Sequence, residues 1–385
     1  MAFDFTKDKL LIQKEKLRYR ERICIQHENI NDARILVNGK TYVNFSSNDY
    51  LGLNNHPEIN YAMQEGIDKF GLCSSSSSLV TGYHYAHQVL EDKICEWINK
   101  PKCLLFSSGF SANLAFFQSV GQEDCSFFLD KLSHASMIDG AFTSKAKVKR
   151  FAHNDTQQLS RLLSADAAKN KLIASEGVFS MDGDKAALTE LENLSTEHNA
   201  WLYIDDAHSI GVIGDQGKGS SHLLNSKKQP NIIMATLGKA IATSGAFLAC
   251  DENLYNYMIN FARHYIYSTA ISPALAWATI QSIELIQREQ WRRDKIIELS
   301  HLFKKHLDNS IEIHHSDSSI HAIIIGDEQK ALDMSKRLKN YGFWVTAIRP
   351  PTVPLGTSRL RVTICANHKP NDIIELAKNI NEAFL

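Results

Sequence analysis

The chain has 385 residues, of which 44% are hydrophobic and 22% charged, and 42 Lys and Arg residues balance 43 Asp and Glu residues to a formal net charge of −1. This composition excludes a disordered chain, because disordered chains combine low hydrophobicity with high net charge. The balanced charge gives no indication of a basic surface that would bind nucleic acid or an anionic membrane. The length exceeds one ordinary domain and predicts a multidomain protein, most typically an enzyme.

The first ten residues, MAFDFTKDKL, include acidic residues and lack an apolar core, so they predict neither a secretory signal nor an Arg-rich transit peptide. No apolar run reaches the roughly 18 residues that a membrane helix needs. The seven cysteines are scattered without a C-x-x-C pair, which predicts reduced thiols with neither disulfides nor zinc. We therefore expect a cytoplasmic protein without a metal site.

Residues 1–55 form the first predicted segment. Dense Lys and Arg with periodic Leu and Ile over residues 5–22 predict a leading helix. Two alternating runs flank Asn38-Gly39, which is a strong hairpin signal. We expect a helix and a hairpin before the first large domain.

Residues 56–275 predict the large domain. Short apolar runs alternate with helix-like segments, which predicts an α/β fold with a mostly parallel sheet of about seven strands between helices. No G-x-G-x-x-G fingerprint of a dinucleotide site follows the first strands. The predicted strands are Cys103–Phe106, Ser126–Leu129, Val148–Ala152, Lys171–Ser175, Trp201–Asp205, Ile232–Thr236 and Ala246–Cys250.

Residues 276–385 predict a smaller α+β domain. A long amphipathic stretch, about Ala274–Leu307, leads into mixed strands and helices. The predicted elements are strands Ile320–Ile325, Phe343–Ile348 and Arg361–Ile364 and helices Gln329–Asn340 and Asn371–Ala383.

Polar residues follow several predicted strands of the large domain, at the edge where α/β sheets bind ligands. Asp205 and His208 follow one strand as D-x-x-H, and Lys239 follows the next. Burial lowers the pKa of a lysine and makes it able to form a Schiff base. Taken alone, each signal is better explained by an exposed turn or by a solvated lysine, which is the usual state of Lys.

Three further groups are expected at the same edge. Gly109 and Phe110 open a helix whose N–H groups favour an anion. The loop from Glu176 to Ser180 and the residue His134 also follow strands. A phosphate cradle, carboxylates, a lysine and two imidazoles are the set that pyridoxal phosphate (PLP) requires.

Four blocks resemble the α-oxoamine synthases, fold-type I PLP enzymes that condense an amino acid with an acyl thioester: Asn44–Gly52, Glu176–Asp184, Asp205–Gly211 and Thr236–Lys239. The resemblance covers the chain from about residue 17. Two more blocks, Trp344–Pro354 and Gly356–Arg361, resemble the branch of the family that serves biotin biosynthesis.

The resemblance implies that Lys239 carries PLP as a covalent aldimine and later moves protons at the substrate α-carbon. It implies that Asp205 pairs with the ring nitrogen, that His208 bonds the ring hydroxyl and that His134 stacks on the ring. The other implied cofactor contacts are Gly109, Phe110, Glu176, Ser180 and Thr236, with Ser268 and Thr269 reaching the phosphate from the partner of a homodimer.

For the substrates, the resemblance implies that Arg361 binds the amino-acid carboxylate. Other implied substrate contacts are Arg18, Asn48, His134, Arg349 and Thr352. Two departures from the family are serines at Ser74–Ser78, where glycines are usual, and Ala240 after the lysine. The first restricts the backbone of that loop, and the second narrows the space behind the lysine.

The resemblance implies a reaction that joins L-alanine to a pimeloyl thioester and gives 8-amino-7-oxononanoate, carbon dioxide and free thiol. The residues leave open whether the acyl donor is coenzyme A or acyl carrier protein. Other activities of the family remain alternatives: glycine C-acetyltransferase, 5-aminolevulinate synthase and serine palmitoyltransferase, or a non-catalytic partner subunit.

Overall fold

A computed structural model describes residues 2–26, 32–224 and 229–384. The helices, numbered in chain order, are α1 (Phe5–Glu15), α2 (Pro57–Phe70), α3 (Tyr85–Ile98), α4 (Gly109–Val120), α5 (Ala135–Phe142), α6 (Thr156–Ser164), α7 (Leu188–Glu197), α8 (Glu252–Phe261), α9 (Arg263–Ile266), α10 (Pro273–Arg288), α11 (Gln290–His306), α12 (Glu328–Asn340) and α13 (Pro370–Phe384). The strands are β1 (Arg34–Val37), β2 (Lys40–Asn44), β3 (Lys102–Phe106), β4 (Cys125–Asp130), β5 (Lys147–Phe151), β6 (Asn170–Glu176), β7 (Trp201–Asp205), β8 (Ile232–Thr236), β9 (Ala246–Cys250), β10 (Ile320–Gly326), β11 (Phe343–Trp344), β12 (Thr346–Ile348) and β13 (Ser358–Thr363).

The chain divides into two compact units. Unit 1 comprises Met1–Asn48, Met181–Gly183 and Asp294–Leu385, and unit 2 comprises Asp49–Ser180 and Asp184–Arg293. These limits differ from the expected boundaries at residues 55 and 275. The hairpin of β1 and β2 joins unit 1 because β2 pairs with β11. The helix α10 stays in unit 2 because it packs on α2 and α3.

Unit 2 is built on a seven-stranded sheet in the order β3-β9-β8-β7-β6-β4-β5, in which only β9 runs antiparallel to its neighbours. Both faces are buried. Leu172 and Ala174 of β6 belong to one apolar cluster, and Ile173 between them belongs to the other. Alternate side chains therefore pack against helices on opposite faces, which explains why the strands read as continuous apolar runs. The predicted α/β sheet is confirmed.

The described part of unit 1 contains two three-stranded sheets, β1-β2-β11 and β10-β13-β12. The predicted hairpin is confirmed, with Asn38 at φ 50° and Gly39 at φ 74° between the paired residues Val37 and Lys40. The leading helix is shorter than expected, because α1 ends at Glu15 and Leu17 takes a positive φ of 56°. The predicted long stretch from Ala274 is two helices, α10 and α11, which Glu289 separates.

All seven cysteines carry free thiols. Within the described ranges, no helix has the length and apolar character needed to cross a membrane. The same ranges contain no cluster of three or more His, Cys, Asp or Glu side chains arranged to bind a metal ion.

Candidate active site

A pocket of about 190 Å³ lies in unit 2 at the carboxyl ends of the parallel strands. Eight of its lining residues were predicted from the sequence: Gly109, Phe110, His134, Glu176, Asp205, His208, Thr236 and Lys239. Its other lining residues are Asn113, Ser136, Ala207 and Met234. A larger cleft of about 530 Å³ lies at the opposite strand ends and contains none of the predicted residues. We assign the candidate site to the smaller pocket, because α/β sheets bind ligands at the carboxyl ends of their strands.

The carboxylate at the floor of this pocket is Asp205, the last residue of β7. Its Oδ2 accepts a hydrogen bond from Asn113 Nδ2 at 3.0 Å, and its Oδ1 accepts one from the backbone N–H of Ala207 at 3.0 Å. Asp206 points away from the pocket and is fully buried, where its carboxylate accepts hydrogen bonds from Ser209 and Ser220. The geometry therefore separates the two adjacent aspartates and puts Asp205 alone in the pocket.

The lysine of the pocket is held by a short chain of side chains. Lys239 Nζ lies 2.8 Å from His208 Nε2, and the hydroxyl of Tyr50 lies 2.6 Å from His208 Nδ1. Tyr50 and His208 are both buried. The imidazole thus fixes the direction of the lysine amine, and the tyrosine fixes the imidazole.

Glu176 and His134 form another part of the pocket wall. Burial, and then the nearby charge of Asp205, raises the pKa of Glu176 well above its ordinary value. Glu176 Oε2 accepts a hydrogen bond from the backbone N–H of Ser180 at 3.3 Å, whereas its buried Oε1 has no hydrogen-bond partner among the described residues. Burial lowers the pKa of His134, whose Nδ1 lies 2.7 Å from the hydroxyl of Ser136. The wall therefore presents a neutral imidazole and a carboxyl group that favours its protonated form.

An anion site is available where α4 begins. The side chain of Ser108 caps the helix by accepting a hydrogen bond from the N–H of Ser111 at 3.1 Å. Helix geometry leaves the N–H groups of Gly109 and Phe110 without intrahelical acceptors. The hydroxyl of Thr236 donates to the carbonyl of Gly245 at 3.0 Å. That hydroxyl must turn before it can donate to a phosphate.

Ser268 and Thr269 are not among the lining residues of this pocket. Thr269 instead forms an antiparallel bridge with Ser77, inside the serine run at Ser74–Ser78. Within that run Ser75 has a φ of 58°, a left-handed conformation that glycine adopts more readily than serine.

Space for the side chain of Ala240 comes from Gly211. A Cβ at Gly211 would lie 2.9 Å from the Cβ of Ala240, and Gly211 also has a positive φ of 82°.

Apart from His134, which lines the pocket of unit 2, the predicted substrate contacts lie in unit 1 and form separate groups there. The guanidinium of Arg361 donates hydrogen bonds to Thr363 Oγ1 at 3.1 Å and to Asn48 Oδ1 at 3.3 Å. Asn48 therefore lies beside Arg361. The other contacts join residues 17–20 to later segments: Arg18 pairs with Glu328 at 3.2 Å, Arg349 donates to the carbonyl of Leu17, and Thr352 accepts from Arg20 at 3.4 Å.

Besides Ala207 and Met234, three polar residues of the site were not assigned a role from the sequence: Tyr50, Asn113 and Ser136. Asn113 could have been predicted from its spacing, because it lies one helical turn after Gly109 and thus on the same face of α4. Tyr50 lies far from His208 along the chain, and only the folded structure brings the two together.

Comparisons with known proteins identify the family of the chain. A family model described as aminotransferase class I and II matches residues 40–380. The 8-amino-7-oxononanoate synthase of Photobacterium profundum is 44% identical over 370 residues, which cover 95% of this chain and 93% of that protein.

Solved structures are also similar. The serine palmitoyltransferase of S. paucimobilis with a bound PLP–myriocin aldimine has a TM-score of 0.92 at 25% identity, covering 99% of this chain and 97% of that one. The 8-amino-7-oxononanoate synthase of Francisella tularensis has a TM-score of 0.77 at 30% identity, covering 89% of this chain and 98% of that one.

Proposed function

The chain belongs to the aminotransferase class I and II family, and from that membership we propose that it acts as an 8-amino-7-oxononanoate synthase of biotin biosynthesis. The reaction condenses L-alanine with a pimeloyl thioester and releases carbon dioxide and free thiol. The observation that carries the proposal is the convergence of Lys239, Asp205 and Gly109 on one pocket of a fold-type I PLP transferase fold.

The pocket fits PLP. Asp205 is a buried carboxylate that two N–H donors hold in place, which suits a protonated ring nitrogen. A Cβ at Gly109 would point toward Met234 and Thr236, 3.7 to 3.9 Å away, so the glycine leaves that part of the pocket open for a phosphate. When bound, PLP supplies an electron sink for the α-carbon of the amino acid.

The side chains have distinct tasks in this proposal. Lys239 binds the cofactor covalently and moves the proton at the α-carbon of alanine, and His208 orients its Nζ. Asp205 holds the proton on the ring nitrogen, through a charge-assisted bond worth about 1.5–3 kcal/mol, or roughly one to two decades in rate. His134, kept neutral by burial, offers a flat face for the ring.

We assign the substrate groups to residues of unit 1. Arg361 is proposed to bind the alanine carboxylate, because a planar guanidinium can bond both of its oxygens. Arg349 and Thr352 are proposed to contact the pimeloyl chain, with Arg18 and Asn48 beside it. The carboxylate of alanine must stay bound until the new carbon–carbon bond has formed, which explains a dedicated arginine.

We further propose a homodimer in which the segment Ser268–Thr269 completes the phosphate site of the other subunit. The position of Thr269 outside the pocket of its own chain supports this proposal. The free thiols of all seven cysteines support the cytoplasm as the compartment.

A product assay tests the function. The protein is supplied with glycine, alanine or serine and, in turn, with acetyl, succinyl, palmitoyl or pimeloyl thioesters. We expect the highest kcat/KM with alanine and the pimeloyl thioester. A preference for glycine with an acetyl or succinyl donor, or for serine with a palmitoyl donor, contradicts the proposal. Parallel arms with coenzyme A and acyl carrier protein identify the acyl donor.

A further inference from the structure

A histidine outside the pocket lies between two carboxylates. His153, in the turn between β5 and α6, places Nδ1 3.1 Å from Asp130 Oδ1 and Nε2 2.7 Å from Asp184 Oδ2. The side chain of Asp130 is fully buried, and Asn154 donates to both carboxylates, through its backbone N–H and its side-chain amide. Only a doubly protonated imidazole can donate to both partners. We call Asp130, His153 and Asp184 the imidazolium clamp.

The charge of this ring does not depend on small changes in pH. Burial opposes the charged form, but the hydrogen bonds to Asp130 and Asp184 outweigh burial and raise the pKa of His153 to about 10. Hydrogen bonds between an imidazolium and a carboxylate are shorter and stronger than neutral ones. The imidazolium clamp therefore connects the end of β4, the turn between β5 and α6, and the loop after β6.

One side of the clamp shapes the turn that leads to His134. Asp130 is the last residue of β4, and its Oδ1 accepts a hydrogen bond from the N–H of Leu132 at 2.7 Å. Its backbone carbonyl accepts a second bond from the N–H of Ser133 at 3.1 Å. These two bonds fix the chain immediately before His134, which lines the pocket.

The other side holds the loop that follows β6. The carbonyl of Asp184 accepts a hydrogen bond from the N–H of Phe179 at 2.9 Å. The ring of Phe179 meets the ring of His153 edge-on, with centroids 4.4 Å apart at 89°. Phe179 lies between Glu176 and Ser180, whose own hydrogen bond closes the same turn.

We propose that His153 is a positioning residue of the pocket, which acts through Asp130 and Asp184 to fix the loops that carry His134 and Glu176. The three clamp residues are absent from the lining of the pocket, so they act only through these loops. The inference rests on the proposed function in one respect, namely that PLP occupies the pocket.

The test compares two variants that break the imidazolium clamp with one matched control. His153→Gln removes the charge, and Asp184→Asn removes one of its partners. The control, Asp166→Asn, removes a carboxylate that pairs with Lys149 at 2.7 Å and lies outside the pocket. His153→Lys restores a cation at the clamp. The measurements are the Kd of PLP by fluorescence titration of the apoprotein, thermal unfolding of the apoprotein, and kcat and KM.

We expect His153→Gln and Asp184→Asn to raise the Kd of PLP about tenfold, as the loss of a charge-assisted bond would. We expect kcat to fall with little change in the KM of either substrate. Asp166→Asn should lower the Tm without changing the Kd, and His153→Lys should recover part of the affinity.

If the clamp variants bind PLP with the same Kd as the parent, the inference is wrong, whatever the Tm of the variants. If His153→Gln does not fold, Asp184→Asn decides by the same criterion. A parent protein that binds PLP but makes no 8-amino-7-oxononanoate refutes the proposed function and leaves the comparison of Kd values valid.

Discussion

Nζ of Lys239 lies 2.8 Å from Nε2 of His208. With Lys239 as an ammonium, which can only donate, Nε2 is the acceptor and a neutral His208 carries its proton on Nδ1. That proton points to the hydroxyl oxygen of Tyr50, 2.6 Å away. The tautomer of His208 and the direction of the reactive amine are thus set together by a tyrosine that the proposed chemistry does not itself use.

Replacement of Tyr50 by Phe should lower kcat while PLP stays bound. The lost hydrogen bond is worth about 0.5–1.5 kcal/mol, or roughly two- to tenfold in kcat. Tyr257→Phe is the matched control, because the Tyr257 hydroxyl likewise forms a hydrogen bond, donating to the carbonyl of Ser119 at 2.7 Å, and lies outside the pocket. Equal kcat values for the two variants would show that the contact with His208 is dispensable.

Lys239→Ala should fold but lose the covalent link to PLP. Among the described lysines, Lys239 is the one that lines the pocket with Asp205 and His208. Borohydride reduction of the parent protein, followed by digestion and mass spectrometry, should place the pyridoxyl group on the peptide that contains Lys239. A label on any other lysine contradicts the assignment.

Asp205→Asn should lower turnover by about 10- to 100-fold, because a neutral partner no longer holds the proton on the ring nitrogen. PLP should still bind, since the amide keeps the size of the carboxylate. The adjacent Asp206 provides the control: it is buried away from the pocket, and burial raises its pKa. Asp206→Asn should retain most of kcat. The opposite ranking would identify Asp206 as the functional aspartate.

The stabilising effect of His153 should depend on pH. The folded state raises the pKa of His153 to about 10 from an ordinary 6.5. The charged ring therefore stabilises the fold fully below pH 6.5. This contribution is lost as the pH rises toward 10. The difference in free energy of unfolding between the parent and His153→Gln, measured with urea on the apoproteins at about pH 6, 8 and 10, should shrink along this series.

His321→Gln is the control for this experiment. Burial lowers the pKa of His321 to about 3, so the contribution of His321 changes only below pH 6.5. The difference in unfolding free energy between the parent and His321→Gln should therefore stay constant between about pH 8 and 10, where the difference for His153→Gln still shrinks. A constant difference for His153→Gln as well would mean that the ring is not charged in the fold.

Thr352→Ala should raise the KM of the pimeloyl thioester and leave the KM of alanine unchanged, because the Thr352 hydroxyl is proposed to contact the acyl chain. That hydroxyl accepts a hydrogen bond from Arg20 at 3.4 Å. Thr357→Ala is the control from the same turn, since the Thr357 hydroxyl bonds only the local carbonyl of Pro354 at 2.8 Å among the contacts described. Damage to alanine binding by Thr352→Ala would place Thr352 on the amino-acid side.

The sequence by itself determined the large sheet and the residues at its edge. Strands buried on both faces need continuous apolar runs, and the runs ending at Asp205 and Thr236 are strands with those same ends. Parallel strands bring their carboxyl ends to one edge, so Lys239 and His134 could be expected in one pocket before the structure was known. Local patterns of this kind depend only on neighbours along the chain.

Only the tertiary structure decided which contacts form between distant segments. The D-x-x-H pattern selects Asp205 over Asp206, but the direction of each carboxylate is set in the fold. Asn113 bonds Asp205, whereas Ser209 and Ser220 bond Asp206. The contacts of His208 with Tyr50 and of His153 with Asp130 and Asp184 join segments that are far apart in sequence. Such pairs appear only when packing fixes the backbone, because the free energy of each hydrogen bond depends on distance and direction that the chain order does not specify.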